Sequence, residues 1–254
     1  MHMETKVKIR KSTSIDVAIS ILELFSAEKK ELGILDMAKT LGKNVSTLHR
    51  TVTILKQRGY VEQSAGRSKY RLGLKVFELG CVYQNQSNVI KDAMDRVERL
   101  ANATNETVNL AVLDQELREI AYIAKIESTQ VLKTDIQIGT KLLAHCTALG
   151  KVLLAHLDQS VIERLFPPHA SLPVYTKKSI ASTDKLRKVL TEVRNNGFAL
   201  DLDEFREGVV CVARPFRDMN NKVVAAISVT APSFRCSADR IEEINQTMLG
   251  ILGS

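Results

Sequence analysis

Four side chains on one predicted helix, Ser46, Thr47, His49 and Arg50, are the residues of this 254-residue chain whose types and spacing point most directly to a chemistry. Short polar side chains at the start of a helix approach base edges in a groove, and an arginine reaches a guanine edge or a phosphate. Close behind them lies the segment Ser64-Ala65-Gly66-Arg67-Ser68, followed by Lys69. Read as a wing between two strands, it adds Arg67 and Lys69 as further contacts to DNA.

The elements needed to position these side chains are legible around them. Ile34, Leu35, Ala38 and Leu41 recur at helical spacing, and Gly42 supplies the permissive backbone for a sharp turn. Val45, Leu48, Val52 and Leu55 then form the apolar stripe of the second helix, which Asn44 can cap. That helix stops at Gly59, and residues 60–63 and 69–72 read as two strands. Ser14 can cap an earlier helix whose stripe is Ile15, Ala18, Ile19, Leu22 and Phe25, completing a three-helix core. The order is that of a winged helix-turn-helix. Such pairs of helices also occur in proteins that touch no nucleic acid.

Charge distinguishes the two readings. Residues 1–75 hold 15 Lys plus Arg against 7 Asp plus Glu, whereas the remaining 179 hold 21 against 22. The whole positive excess sits on the first third, as neutralisation of phosphates requires and an ordinary solvated surface does not. Lys6, Lys8, Arg10 and Lys11 form either a basic arm along a groove or a solubilising terminus. No apolar run approaches the roughly 20 residues of a membrane span, so a soluble, cytoplasmic protein is expected. Cys81, Cys146, Cys211 and Cys236 are scattered, with no CxxC pair. They read as reduced core residues; neither a metal site nor a cofactor is expected.

A DNA-binding unit of this size leaves room for a second, larger core. Leu74, Phe77, Leu79, Val82 and Tyr83 continue the chain in a helical run, richer in apolar residues than a solvent-bridging helix should be. Burial against a partner subunit or packing on its own domain would each explain it. The expected division is residues 1–73, a linker helix over 74–88, and a second domain over 89–254. Within that domain a helix carrying Ile90, Ala93, Met94, Val97, Leu100 and Ala101 leads to strands at 107–113, 119–126 and 131–136, an antiparallel meander. Helices follow at about 148–156, 159–165 and 183–196, then strands at 198–202, 209–216 and 223–230, and a last helix over 238–251. One mixed, largely antiparallel sheet with helices on its faces is the architecture implied, an α+β domain.

Three stretches of this domain depart from plain core patterning. Residues 139–151 carry a glycine turn into a helix beginning near Thr147, whose free N–H groups could hold a small carboxylate; Thr147 as a simple N-cap is the other reading. Residues 201–215 run from an acidic loop into a strand where Val209, Cys211 and Ala213 share a face. Ser228 and Thr230 stand two apart and point the same way, toward a polar guest or toward neighbouring backbone. Cys211 and His145 are the only thiol and base for catalysis here, and no third group orients them, so no enzyme is expected.

With these motifs in place, the chain resembles the IclR family of bacterial transcription regulators over nearly its whole length. The carrying residues are Val45-Ser46-Thr47-Leu48-His49-Arg50, Gly59-Tyr60-Val61, Tyr70-Arg71-Leu72-Gly73, the run Ala148 to Ala155, and a C-terminal signature. That signature comprises Asp203-Glu204, Gly208-Val209, Cys211-Val212-Ala213, Pro215, Ala225 to Val229 and Pro232. The resemblance implies a GAF-like α/β effector domain, a homodimer through the small domains or a homotetramer, operator DNA as partner and a small organic acid as effector. It places the acid at Thr147, Ala148 and Leu149, with Asp201, Cys211, Ser228 and Thr230 opposite, and Val131, Thr134 and Leu142 on the loop-side wall. Leu149 departs from the small residue frequent in the family. Lys125-Ile126 and Ile138-Gly139 are similar to members that sense sugar-acid breakdown products. Two other readings stay open: a constitutive DNA-binding protein whose large domain only oligomerises, and a small-acid enzyme with an incidental helix-turn-helix.

Overall fold

A computed structural model describes residues 13–25, 29–64, 68–114, 116, 118–134 and 136–253 of the chain. Two compact units divide between Gln86 and Ser87.

In the first unit α1 (Ser14–Glu23), α2 (Ile34–Leu41) and α3 (Val45–Gln57) enclose one core. Val17, Ile21, Met37, Leu48, Val52, Leu55 and Val61 fill it. The stripe of α1 is therefore rotated from the expected one. Val17 and Ile21 point inward with Ala18 and Leu22 at their flank, while Ile15 and Ile19 are exposed. Both sets have helical spacing, so periodicity alone does not choose between them. Leu35 and Val45, each in the first turn of its helix, also face outward, and Met37 takes the central place in α2.

Capping corrects two further expectations. Thr13, not Ser14, is the N-cap of α1, in a reciprocal capping box with Asp16. Asn44 does stand at the N-cap of α3, but its side chain makes no capping bond. Gly42 closes α2 in the left-handed conformation, as its lack of a Cβ permits. A small antiparallel sheet follows, in which β3 (Lys69–Leu72) lies between β2 (Val61–Gln63) and the unexpected β1 (Leu32–Gly33). The wing tip at 65–67, including Arg67, lies outside the described residues, as do Lys6, Lys8, Arg10 and Lys11.

Helix α4 (Leu74–Gln86) starts on this unit, where Gly73 N–H donates to Tyr60 O (2.8 Å) and Lys75 N–H to Gly59 O (3.1 Å). None of its residues is buried, and Leu74, Phe77, Leu79, Val82 and Tyr83 are all exposed. Packing within its own domain is thus not what its apolar content serves in this chain.

The second unit is a three-layer sandwich. Its sheet runs β6 (Lys141–Leu143), β5 (Glu119–Ile126), β4 (Thr107–Asp114), β9 (Val223–Pro232), β8 (Val209–Arg217), β7 (Ala199–Leu202). The largely antiparallel sheet expected is antiparallel in every pairing among the described residues. Helices α5 (Asn88–Thr104) and α9 (Ala238–Leu252) cover one face over Val108, Leu110, Val212, Ile227 and Val229. On the other, α6 (Ala148–Ala155) lies against β4, β7, β8 and β9, with α7 (Gln159–Leu165) and α8 (Thr183–Asn196) behind it. Central strands buried on both faces are what such a sandwich requires.

Among the described residues of 131–136, which leave out Asp135, the expected strand does not form. Side chains hold that stretch as a loop: Thr129 Oγ1 donates to Asn105 Oδ1 (2.7 Å), and Glu127 receives Lys125 (2.9 Å) and Lys133. Arg235 reaches across to Leu132 O (3.1 Å). The sheet edge beyond β5 is taken instead by β6, through Ile120↔Leu142.

Candidate functional site

Each unit gathers polar side chains in one place. In the first unit, the core stripe Leu48, Val52 and Leu55 fixes the rotation of α3, so Ser46, Thr47, His49 and Arg50 stand exposed on its other faces. Thr51 and Thr53 return their hydroxyls to the carbonyls of Thr47 (3.0 Å) and His49 (2.8 Å). Neighbouring surface groups pair with one another, Arg71 with Glu62 (2.6 Å) and Lys56 with Gln63 (3.0 Å). Arg50 and the exposed Lys69 have no ion pair among the described residues. His49 and Lys69 border a shallow groove with Leu35, Asp36, Gln63 and Tyr70. Cations of this kind are available to phosphate oxygens and base edges.

In the second unit the polar groups are buried. Register places Asp201 beside Cys211, Cys211 beside Thr230, and Thr230 beside Thr107, forming one row across the sheet. The adjoining row runs Ala213, Ser228, Asn109, Lys125. Both rows point toward α6, because strand side chains alternate and the apolar residues between them face α5 and α9. Asn109 Nδ2 donates to Thr230 Oγ1 (3.2 Å), which donates to Cys211 Sγ (3.3 Å). The oxygens Asn109 Oδ1, Ser228 Oγ, Thr134 Oγ1 and Glu204 Oε2 are buried with no hydrogen-bond partner among the described residues. Native interiors seldom leave such atoms unpaired, and two of these, on Asn109 and Ser228, belong to register partners.

The facing helix begins with the N-cap Thr147, whose Oγ1 accepts from Gly150 N–H (3.1 Å). Ala148 and Leu149 form its first turn, where N–H groups have no intrahelical acceptor. Thr147 is thus the N-cap of this helix, and the N–H groups of Ala148 and Leu149 are left over. Gly150 is required by a close approach, since a Cβ there would lie 2.1 Å from Ala144 O. One turn further, Lys151 is buried and paired with Glu204. The Glu204 loop is fixed by its own N–H to Asp201 Oδ1 (2.7 Å) and by Ser179 Oγ to Glu204 O (2.6 Å).

Burial pushes the Asp201 carboxyl up to about 7, against the pull of the Glu204 N–H and of Lys151. Burial likewise raises the Cys211 thiol, and raises Cys146 to about 12. These thiols stay protonated at neutral pH. His145, held neutral chiefly by burial, spends a ring nitrogen on Pro173 O (2.9 Å) rather than on Cys211. No activated nucleophile results. Among the described residues, no group of three His, Cys, Asp or Glu could hold a metal ion.

The sequence-derived positions divide accordingly. Thr147, Ala148, Leu149, Asp201, Cys211, Ser228 and Thr230 come together between α6 and the sheet; Leu142 packs beside them on β6, and Thr134 is half-buried. Val131 is 97 % exposed, so it does not line this face. Sequence reasoning did not single out Asn109 or the Lys151–Glu204 pair. For Asn109 the signal was present: Thr107 and Asn109 stand two apart in an apolar strand, as Ser228 and Thr230 do.

Residues 81–250 match the family described as bacterial transcriptional regulator IclR C-terminal, and residues 14–65 match the IclR helix-turn-helix domain. The HTH-type transcriptional regulator XynR of Escherichia coli is 35% identical over 222 residues, 87% of each chain. Its HTH-type transcriptional regulator KdgR is 34% identical over 233 residues, 90% of this chain and 88% of KdgR. The crystal structure of an IclR transcriptional regulator from Silicibacter sp. TM1040 superposes with a TM-score of 0.81 at 25% identity, covering 94% of this chain and 93% of that one.

Proposed function

This chain belongs to the IclR family of bacterial transcriptional regulators, and from that membership we propose that a small organic or sugar acid, bound between α6 and the sheet, controls its hold on operator DNA. It is a DNA-binding transcriptional regulator, not an enzyme. In our reading Ser46, Thr47, His49 and Arg50 of α3 contact the operator, with Arg67 and Lys69 from the wing. The acid's carboxylate sits at the N–H groups of Ala148 and Leu149, beside Thr147. Asp201, Cys211, Ser228 and Thr230 face it, with Thr134 and Leu142 as the wall. The unpartnered, buried Ser228 Oγ opposite the start of α6 is the observation that carries this reading.

The division into a winged helix-turn-helix over 1–73, a linker helix over 74–88 and an effector domain over 89–254 belongs to the same proposal, as do a cytoplasmic location and a homodimer or homotetramer. The exposed apolar residues of α4 supply a surface for a second copy. The acid acts only if it binds the DNA-competent and incompetent arrangements with different affinity.

The test uses the full chain and a duplex selected from a randomised pool. Operator affinity is titrated with pyruvate, glyoxylate and aldonic acids present or absent. At least one acid should change it about tenfold, a coupling of ordinary size. Affinity unmoved by every acid overturns the proposed control and leaves a constitutive DNA-binding protein. Ser228→Ala should blunt the response while operator affinity without acid is kept.

A further inference from the structure

We propose that residues 173–178 form a strap across the mouth of the site between α6 and the sheet, and that an effector enters when this strap opens while the rest of the domain stays folded. This rests on the acid reading above and concerns the way in, not the occupant.

Thr147, Ala148, Leu149, Asp201, Ser228 and Thr230, which face an acid in that reading, are all buried. Some covering segment must therefore move before a ligand reaches them. Neither wall can do so cheaply. Every residue of α6 is buried, and β4, β9 and β8 carry an apolar core on each face, so shifting either would open close-packed interior. Between the buried Leu172 and the buried Ser179 the chain is different. Pro173, Val174, Tyr175, Lys177 and Lys178 are exposed, and Thr176 is half-buried.

The strap runs from one wall to the other. At its start Pro173 O accepts from His145 Nε2 (2.9 Å), two residues before the N-cap of α6. Further on, Thr176 Oγ1 donates to Asp203 O (2.7 Å) in the loop between β7 and β8. Ser179 Oγ donates to Glu204 O (2.6 Å) and accepts from the N–H groups of Tyr175 (3.0 Å) and Thr176 (2.9 Å). Lys178 Nζ reaches Asp203 Oδ2 (2.7 Å), and the Tyr175 ring leans on Phe205 with centroids 5.1 Å apart. Glu204 is thus held from outside through its carbonyl and from inside through its carboxylate, which pairs with Lys151. Hydroxyl–carbonyl bonds and a surface ion pair are individually weak, so this clasp can release while both cores stay shut. The ends of the strap are firmer: Leu172 N–H donates to Ala181 O (2.8 Å), and Ser171 bridges to Ser182.

Cys146, between His145 and Thr147, is fully buried and reports the opening without any ligand. The full chain is treated with iodoacetamide at low urea concentrations, and modification of Cys146 is followed by peptide mass spectrometry. Its rate should not change with urea below the unfolding transition, the mark of a local opening. Thr176→Val with Ser179→Ala should raise that rate about tenfold or more, whereas Thr191→Val, which removes an exposed hydroxyl bond on α8, should leave it unchanged. A rate that follows urea with the slope of global unfolding, or one that the double variant does not move, overturns the strap. Rapid mixing of the same double variant with pyruvate, glyoxylate and D-gluconate should show entry and release of whichever binds speeded by a common factor of about tenfold, with affinity kept. Unchanged entry overturns the strap as the route and leaves acid control standing. Binding of no acid overturns the acid reading and this route with it, and Cys146 still decides whether the strap opens.

Discussion

The two polar clusters of this chain are built from similar residue types and behave oppositely, because water reaches one and not the other. On α3 the side chains of Ser46, Thr47, His49 and Arg50 are exposed, so their hydrogen bonds are supplied by solvent. On the sheet, Asn109, Asp201, Ser228 and Thr230 are buried, and whatever the fold does not pair remains a cost. The first cluster can change without disturbing the fold. In the second, a change of any polar side chain bears on stability.

The sharpest way to break this comparison is Lys151→Met. It strands the Glu204 carboxylate in a buried place and should destabilise the second unit by about 3–5 kcal/mol, seen as an earlier urea transition. Adding Glu204→Leu should restore much of the loss. A single variant that unfolds with the wild type would mean that the buried cluster is solvated after all.

Asp201 tests the same point by pH. Its folded carboxyl is raised from 3.8 to about 7, so the folded state favours the protonated form; stability is fullest below the unfolded value and declines as pH rises through 7. Asp201→Asn keeps the acceptor for Glu204 N–H and cannot ionise. Its stability relative to the wild type should grow by about 2–4 kcal/mol from pH 4 to pH 8, measured by denaturant midpoints. A constant difference would contradict the burial of the carboxyl.

Gly150→Ala sets a Cβ against Ala144 O and should cost about 1–3 kcal/mol while weakening acid binding. Arg50→Ala sharpens the other side. Operator affinity should fall by about 1–3 kcal/mol, with the unfolding midpoint within experimental error of the wild type. Unchanged operator affinity would remove Arg50 from the DNA-contacting face. Smallest is Thr13→Ala, which deletes the capping box of α1 and should cost about 1 kcal/mol of the first unit alone. Loss of acid binding in that variant would count against the independence of the two clusters.

Much of this was legible in the chain. Leu48, Val52 and Leu55 define the buried side of α3 and leave Ser46, Thr47, His49 and Arg50 exposed by subtraction. Ser228 and Thr230 announce a polar face by standing two apart in an apolar strand. What escaped has physical causes. The α1 stripe was ambiguous because Ile15–Ile19 and Val17–Ile21 share one spacing. The segment 131–136 has strand-like residues but no edge to pair with, since β6 occupies it. Lys151 and Glu204 lie 53 positions apart, and no local pattern couples them.

The sequence alone determined the helices, most of the strands and the basic first third, because periodicity, turn residues and charge are local properties of a chain, and its motifs carried the resemblance to the family. Only the tertiary structure decided which polar atoms are left unpaired. Satisfaction depends on neighbours across strands, and it is the register of β4 with β5 and β9 that sets Asn109 between Lys125 and Ser228 with a free carbonyl oxygen.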